Sequence, residues 1–361
     1  MKNILLLSNK VFHYRVPIYN YFRQAFLKEG YDFRVLTNEF QDGFEHQADF
    51  ECIVEQPSFA KYKSIVLEHN PSAVIFFMHL KDWIMWPMIH WLKRKHTPVI
   101  YWNHGVNLQD PENIYKNILY RYLHNLSDAI VLYSPNETKY IKPENRYKIS
   151  IGYNTLNFDA FPSIGKTKEG LKKELNIPFK KVILFPARIN PARKLDLLLE
   201  AFLDIDEPDV GLIIVGSGCL SNEQESIIKQ TPGILYLGRV ADQVKFNKLV
   251  KLSDVVTIPG KSGLAINQAF FWGVPYVTTN VRQSPEIWYL IDGYNGFLAD
   301  VNHKYDYKEK LEKILKDDDL RAKMAKNASL TVREKASIHG MFSGFYKAVR
   351  FVNRQSEKLK K

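Results

Sequence analysis

Residues 181–203, KVILFPARINPARKLDLLLEAFL, change their hydrophobic period midway. Val182 to Phe185 form an unbroken apolar run, the pattern of a strand covered on both faces. After a short loop, Leu195, Leu198, Leu199 and Phe202 recur at helical spacing. A buried strand feeding an amphipathic helix is the repeating unit of a parallel sheet. The same alternation runs outward from this stretch in both directions. Toward the C-terminus, GLIIVGSG (211–218), ILYLGRV (234–240), DVVTIPG (254–260) and PYVTTN (275–280) read as strands, and GLAINQAFFWG (263–273) reads as a helix. Toward the N-terminus the strands are Asn3–Ser8, DFRVLTN (32–38), AVIFF (73–77), PVIYWNHG (98–105), DAIVLYS (128–134) and KISIGYN (148–154). Between them lie helical stretches, one starting at Pro17, a favoured first helical residue, and one over ENIYKNILYRYLHNL (112–126). Residues 155–178 lack an apolar period, contain Pro162, Gly165 and Gly170, and read as a linker merging into the helix KEGLKKEL. From about Tyr305 the chain is helical. The expected fold class is α/β: two doubly wound Rossmann-like domains, 1–165 and 166–335, followed by a C-terminal helix over 336–361.

Composition fits that architecture. The chain has 361 residues, 45% hydrophobic and 25% charged, enough to build two cores. No apolar run approaches the ~18 residues of a membrane span. The opening MKNILLLSNK has four consecutive apolar residues, too few for a signal-peptide core. Two cysteines, Cys52 and Cys219, cannot make a disulfide framework, and a reducing cytosol is the expected compartment. The net charge of +11 favours anionic partners. It is dispersed and accompanied by no nucleic-acid-binding motif, so nucleic acid is not an expected partner. Neither half has a G-x-G-x-x-G fingerprint or a Walker loop, which sets aside simple dehydrogenases and P-loop enzymes.

In doubly wound sheets ligands bind at the carboxyl ends of strands. Three cations, Arg188, Arg193 and Lys194, fall between such an end and a helix start, where the macrodipole repels them. Either they hold an anion there or they belong to a solvated loop. Pro259-Gly260-Lys261-Ser262-Gly263-Leu264 makes a glycine-bearing turn into a helix, whose N–H groups suit an anion. Asn267 and Gln268 follow among apolar neighbours and need partners, either a ligand hydroxyl or a nearby backbone group. His104 in YWNHG ends an apolar strand, and His13 and Arg15 follow the first strand in the same way. His, Cys and carboxylates do not cluster at metal-ligand spacing; Asp317-Asp318-Asp319 sits between helices and reads as a helix N-cap.

HYRVP (13–17), WNHG, YNTLNF (153–158), FPARINPARKLDLLLEAF, IIVGSG, LYLGRV, LSDVVTIPG, GVPYVTT, SPEIWYLIDGYNGFL (284–298) and DLRAKMAKNA (319–328) occur in an order and spacing that resemble the retaining GT-B glycosyltransferases of the family-4 type, including bacterial polysaccharide enzymes. That resemblance covers nearly the whole chain. It implies two domains facing across a cleft, a last helix crossing back to the N-terminal domain, and transfer of a sugar from a nucleotide-sugar co-substrate, with UDP, GDP or dTDP, to a saccharide acceptor. It implies retained anomeric configuration, no metal and no other cofactor. Carried over, Arg188 and Arg193 bind the donor diphosphate as catalytic cations, with Lys194 adjacent, and His104 lies near the donor sugar as the third catalytic residue. Gly216, Lys261, Ser262, Gly263, Leu264, Gln268 and Glu286 fall on the donor side, His13 and Arg15 on the acceptor side. The pattern departs at four positions. Gly260 and Gln268 stand where the family usually has glutamates, and Gln283-Ser284 stand where two glycines usually precede Glu286. A catalytically silent subunit binding a partner glycosyltransferase is the alternative.

A lipid-linked acceptor would favour docking on an anionic membrane from the cytoplasmic side. Two segments pair aromatics with cations in a way that suits a lipid interface. One is Trp83, Trp86 and Trp91 with Lys93-Arg94-Lys95. The other is the tail, with Lys347, Arg350, Arg354, Lys358, Lys360 and Lys361 against Glu357.

Overall fold

The computed structural model describes residues 1–41, 47–108, 110–303 and 305–359. Lys360 and Lys361 lie outside the described residues. The chain forms two units, one of Met1–Asn157 with Ser337–Lys361, the other of Phe158–Ala336.

The first unit runs β1 (Lys2–Ser8), α1 (Val16–Lys28), β2 (Tyr31–Thr37), β3 (Glu51–Val54), α2 (Phe59–His69), β4 (Ala73–Phe77), α3 (Met85–Arg94), β5 (Val99–Trp102), α4 (Ile114–Leu126), β6 (Ala129–Leu132) and β7 (Ile149–Ile151). Its parallel sheet has the order β3-β2-β1-β4-β5-β6-β7. Successive strand residues point to opposite faces. In β1, Ile4 and Leu6 therefore join Phe22, Phe33 and Trp102 in one core layer. Leu5 and Leu7 join Phe76, Met88 and Leu92 in the other. Two covered faces explain the unbroken apolar run of this strand.

The second unit runs α5 (Lys168–Glu174), β8 (Lys181–Pro186), α6 (Leu195–Leu203), β9 (Val210–Val215), α7 (Asn222–Gln230), β10 (Ile234–Gly238), α8 (Gln243–Leu252), β11 (Val255–Thr257), α9 (Ala265–Phe271), β12 (Tyr276–Thr279), β13 (Gly296–Ala299), α10 (Asp306–Lys316) and α11 (Asp318–Lys335). Its sheet is parallel, in the order β10-β9-β8-β11-β12-β13. Ile164, Leu171 and Ile177, from the stretch without an apolar period, are buried in this unit's core. Asp317 caps α11, its side chain accepting a hydrogen bond from Leu320 N at 2.8 Å.

The last helix, α12 (Ile338–Leu359), belongs to the first unit. Phe342, Phe345, Val349 and Val352 are buried. The Phe345 ring lies 4.8 Å from Phe22 and 4.6 Å from Trp102. Gly344 permits the approach, because a Cβ there would meet Ile151 O at 2.1 Å. Both sheets have the doubly wound order that the alternation predicts. Among the described residues no helix is long and apolar enough to cross a membrane.

Candidate active site

In each sheet the strand order reverses beside the unit's first strand: between β1 and β4 in the first unit, between β8 and β11 in the second. Loops diverge there, leaving the carboxyl ends open to a ligand.

In the second unit both loops at the reversal carry candidate residues, and backbone bonds join them. Gly260 N donates to Arg193 O at 3.0 Å and Lys261 N to Ala192 O at 2.9 Å. The Arg193 guanidinium donates to Lys261 O. A Cβ on residue 260 would lie 2.0 Å from Ala192 O. That contact accounts for glycine at this position: with this backbone no side chain fits, and a glutamate would push the loops apart. Lys194 adopts a left-handed φ of 52° where α6 begins, and Arg188 is exposed just beyond β8. Burial pulls the Arg193 guanidinium below the ordinary arginine range, with Tyr276 and Glu286 acting against it. Glu286, buried, thus lies within electrostatic reach of Arg193. Gly216 follows β9 directly, its N–H donating to Gly238 O at 2.7 Å.

The turn after β11 differs from the sequence reading. Its N–H groups are expected to stand free, yet two are bonded within the unit. Ser262 N donates to Gln283 Oε1 at 3.0 Å and Gly263 N to Ser284 Oγ at 2.8 Å. Gln283 is held in turn, its amide donating to Gly260 O at 2.9 Å, Thr278 Oγ1 at 2.8 Å and Thr279 O at 3.0 Å. Side chains at the two positions that depart from the glycine pair therefore cap the cradle. Gln268 turns toward α8, where its amide donates to Asn247 Oδ1 at 3.3 Å. Trp272 Nε1 donates to the same oxygen at 2.8 Å.

In the first unit His104 follows β5. Its Nδ1 lies 2.6 Å from Glu137 Oε1, while Glu137 Oε2 accepts from Tyr133 N at 2.8 Å and Ser134 N at 3.1 Å. The carboxylate is almost wholly buried, so both oxygens are committed. The imidazole also packs 4.5 Å from the Tyr133 ring. Asn103 fixes the backbone: its carbonyl oxygen accepts from His104 N at 2.8 Å and its amide donates to Met78 O at 2.8 Å. Arg15 is buried over aromatic faces, 4.8 Å from the Trp102 centroid, 5.2 Å from Phe77 and 5.3 Å from Tyr14. Such cation–π contacts offset part of the cost of burying the charge. His13 is half-buried beside Tyr14. Glu137 is the candidate residue that the sequence hides. SPNE (134–137) is a helix-start pattern, and nothing in it points to His104, 33 residues upstream.

Two doubly wound parallel sheets with a long C-terminal helix define the GT-B class, and solved structures of that class share the fold. The Anabaena HepE protein, whose structure contains UDP, superposes with a TM-score of 0.77, covering 97% of this chain and 100% of that one at 16% identity. Residues 167–331 match the family model described as Glycosyl transferases group 1. An uncharacterized glycosyltransferase of Methanocaldococcus jannaschii is 29% identical over 213 residues, 58% of this chain and 55% of that protein. A second one from the same organism is 26% identical over 358 residues, covering 82% of this chain and 89% of that protein. The chain spans about half the length of the first curated relatives it matches.

Proposed function

We propose that the protein is a retaining hexosyl- or deoxyhexosyltransferase that uses a nucleotide-sugar donor, needs no divalent metal and glycosylates a saccharide, lipid-linked acceptor in polysaccharide assembly at the cytoplasmic face of a membrane. The observation that carries this reading is the locked pair of loops at the β8–β11 reversal, which gathers Arg193 and Lys261 beside Arg188 and Lys194. Four cations answer the charge of a diphosphate, joined by the Ser262 and Gly263 N–H groups once these leave Gln283 and Ser284. In the transfer, the bond from the anomeric carbon to the diphosphate oxygen breaks and the bond to the acceptor oxygen forms on the same face. The departing diphosphate takes the acceptor's proton. The cations stabilise the charge that develops on it, and the Gln268 carbonyl accepts from a ribose hydroxyl. His104, oriented by Glu137, polarises a sugar hydroxyl.

Calorimetry with UDP, GDP and dTDP tests the reading: one of them binds, and a chelator leaves its affinity unchanged. Arg188→Ala and Arg193→Ala each weaken it by about 1.5–3 kcal/mol. Absence of binding by all three nucleotides would overturn the proposal. A second reading, a silent subunit partnering another glycosyltransferase, draws on the capped Ser262 and Gly263 N–H groups. It predicts a folded chain with neither nucleotide affinity nor turnover.

A further inference from the structure

Helix α4 leaves an apolar face uncovered. Ile114, Tyr115 and Ile118 are 72%, 82% and 53% exposed, and Leu119 and Tyr122 are exposed beside them. Spacings of one, four, five and eight residues place these five on one side of the helix. Tyr120, Leu123 and His124 hold the other side against the sheet. The face continues onto α3, where Trp86 stacks on Tyr122 with centroids 6.2 Å apart. A helix needs no such residues on its outer side, and contiguous exposed apolar surface marks an interaction site.

Topology places the patch. In a parallel sheet the helix after a strand runs back from that strand's carboxyl end, so the first turn of α4 lies toward the edge that carries His104. Trp83, 57% exposed, follows β4 at the same edge, and Phe12, also exposed, follows β1 there. Bulky apolar groups therefore rim the edge of the sheet on which the first unit's candidate residues sit.

Charge selects what covers the rim. Helices α3 and α4 contain Lys93, Arg94, Lys116 and Arg121 and no carboxylate. Lys93 is bonded to Asp128, whereas Arg94, Lys116 and Arg121 are exposed. The nearest acids in sequence, Glu112 and Asp128, flank α4 rather than lie on it, and Asp128 is bonded to Lys93. A second copy seated by two-fold symmetry would bring these cations against themselves. An anionic bilayer complements them, while aromatic and aliphatic side chains enter the headgroup region.

We propose that the exposed face of α4, with Trp83 beside it, docks the protein on an anionic bilayer surface, holding the His104 edge toward lipid-linked acceptors. The purpose rests on the transferase reading above, but the docking can be measured without it. The basic face of α12, with Lys347, Arg350, Arg354 and Lys358 around Phe351, is then a bystander, its apolar stripe being consumed by the core.

Flotation of the full chain with phosphatidylglycerol or phosphatidylcholine vesicles tests this. The wild type should float with the anionic vesicles, less at high salt, and poorly with the zwitterionic ones. Ile114→Glu with Ile118→Glu should cut the bound fraction about tenfold or more. Both positions are exposed, so folding should persist, and circular dichroism checks it. Lys347→Glu with Arg354→Glu should float like wild type. Failure of the wild type to float, flotation of the α4 variant at wild-type level, or loss confined to the α12 variant would overturn the proposal. So would a dimer in sedimentation that dissolves in the α4 variant while the wild type ignores vesicles. Nucleotide calorimetry on the same preparations separates the two readings, since flotation without nucleotide binding sinks only the transferase.

Discussion

Glu137 holds His104 in one tautomer. With Oε2 occupied by the Tyr133 and Ser134 N–H groups, Oε1 is left to accept from Nδ1 of His104 at 2.6 Å, so whenever the ring carries a single proton that proton sits on Nδ1 and Nε2 is an acceptor. Glu137→Gln reverses this arrangement. The glutamine oxygen must serve the backbone N–H groups, so its amide faces Nδ1 and donates, and the proton moves to Nε2. We expect turnover to fall on the order of a hundredfold, with nucleotide affinity unchanged. Nitrogen-15 shifts of the imidazole should report the exchanged tautomer. A variant that shows the new tautomer and full turnover would remove His104 from the reaction.

A second histidine governs acid stability. Burial, assisted by Lys148, pulls the His124 imidazole down to about 4 from its ordinary 6.5. Between those values the unfolded chain binds a proton that the folded chain refuses. His124 therefore makes stability fall as pH drops from 6.5 toward 4, and has no such effect above 6.5. The loss is about 3 kcal/mol at most. His124→Phe keeps a ring beside Tyr101 and Tyr120 and cannot titrate. Melting temperature against pH should be flatter for the variant across that window. Parallel curves would mean that His124 titrates alike in both states.

Most of the strands, including the half-buried edge strands β7 and β10, are legible in the sequence. Strands β1, β4, β5, β6, β8 and β9 are central and covered on both faces, so each carries a run of four or more apolar residues. Strands β3 and β13 close the two sheets at an edge. Glu51 and Val54 of β3 are exposed and Cys52 and Ile53 half-buried, and such a strand has no run to detect. The candidate site divides in the same manner. Arg188, Arg193 and Lys194 stand out because a helix start is a poor place for cations. Glu137, Gln283 and Ser284 act on residues 33 and 21 positions away, and only the folded chain reveals those pairings.

The cap on the Ser262–Gly263 turn should weaken nucleotide binding. A diphosphate that takes these N–H groups must first break the bonds to Gln283 and Ser284, each worth about 1 kcal/mol net. Ser284→Gly frees Gly263 N and should tighten binding about fivefold, at a small cost in melting temperature. Gln283→Gly should act in the same direction but destabilise more, because the Gln283 amide also bonds Gly260 O, Thr278 and Thr279. Titration calorimetry checks both. Unchanged affinity in the two variants would place the diphosphate away from this turn.

Gly260 should tolerate no side chain. The loops after β8 and β11 are joined by two backbone hydrogen bonds, and a Cβ at 260 would press on Ala192 O at 2.0 Å and on Arg193 C at 2.8 Å. Both are main-chain atoms, so neither can swing aside as a side-chain tip would. Gly260→Ala must separate the loops, lengthening the bonds from Gly260 N and Lys261 N and drawing Arg193 from the Lys261 carbonyl. The expected loss of stability is about 1–3 kcal/mol, the usual cost of overpacking. Nucleotide affinity should fall further than the melting temperature suggests, because the displaced atoms carry the cations. Gly260→Glu, which introduces the glutamate that the family resemblance leads one to expect here, should bind no better than the alanine variant, since its obstacle is the Cβ and not the carboxylate. Chemical denaturation and calorimetry on the two variants decide the matter. A glutamate variant as stable as wild type, with stronger nucleotide binding, would show that the loops can separate at little cost and that their close approach is not what excludes a side chain.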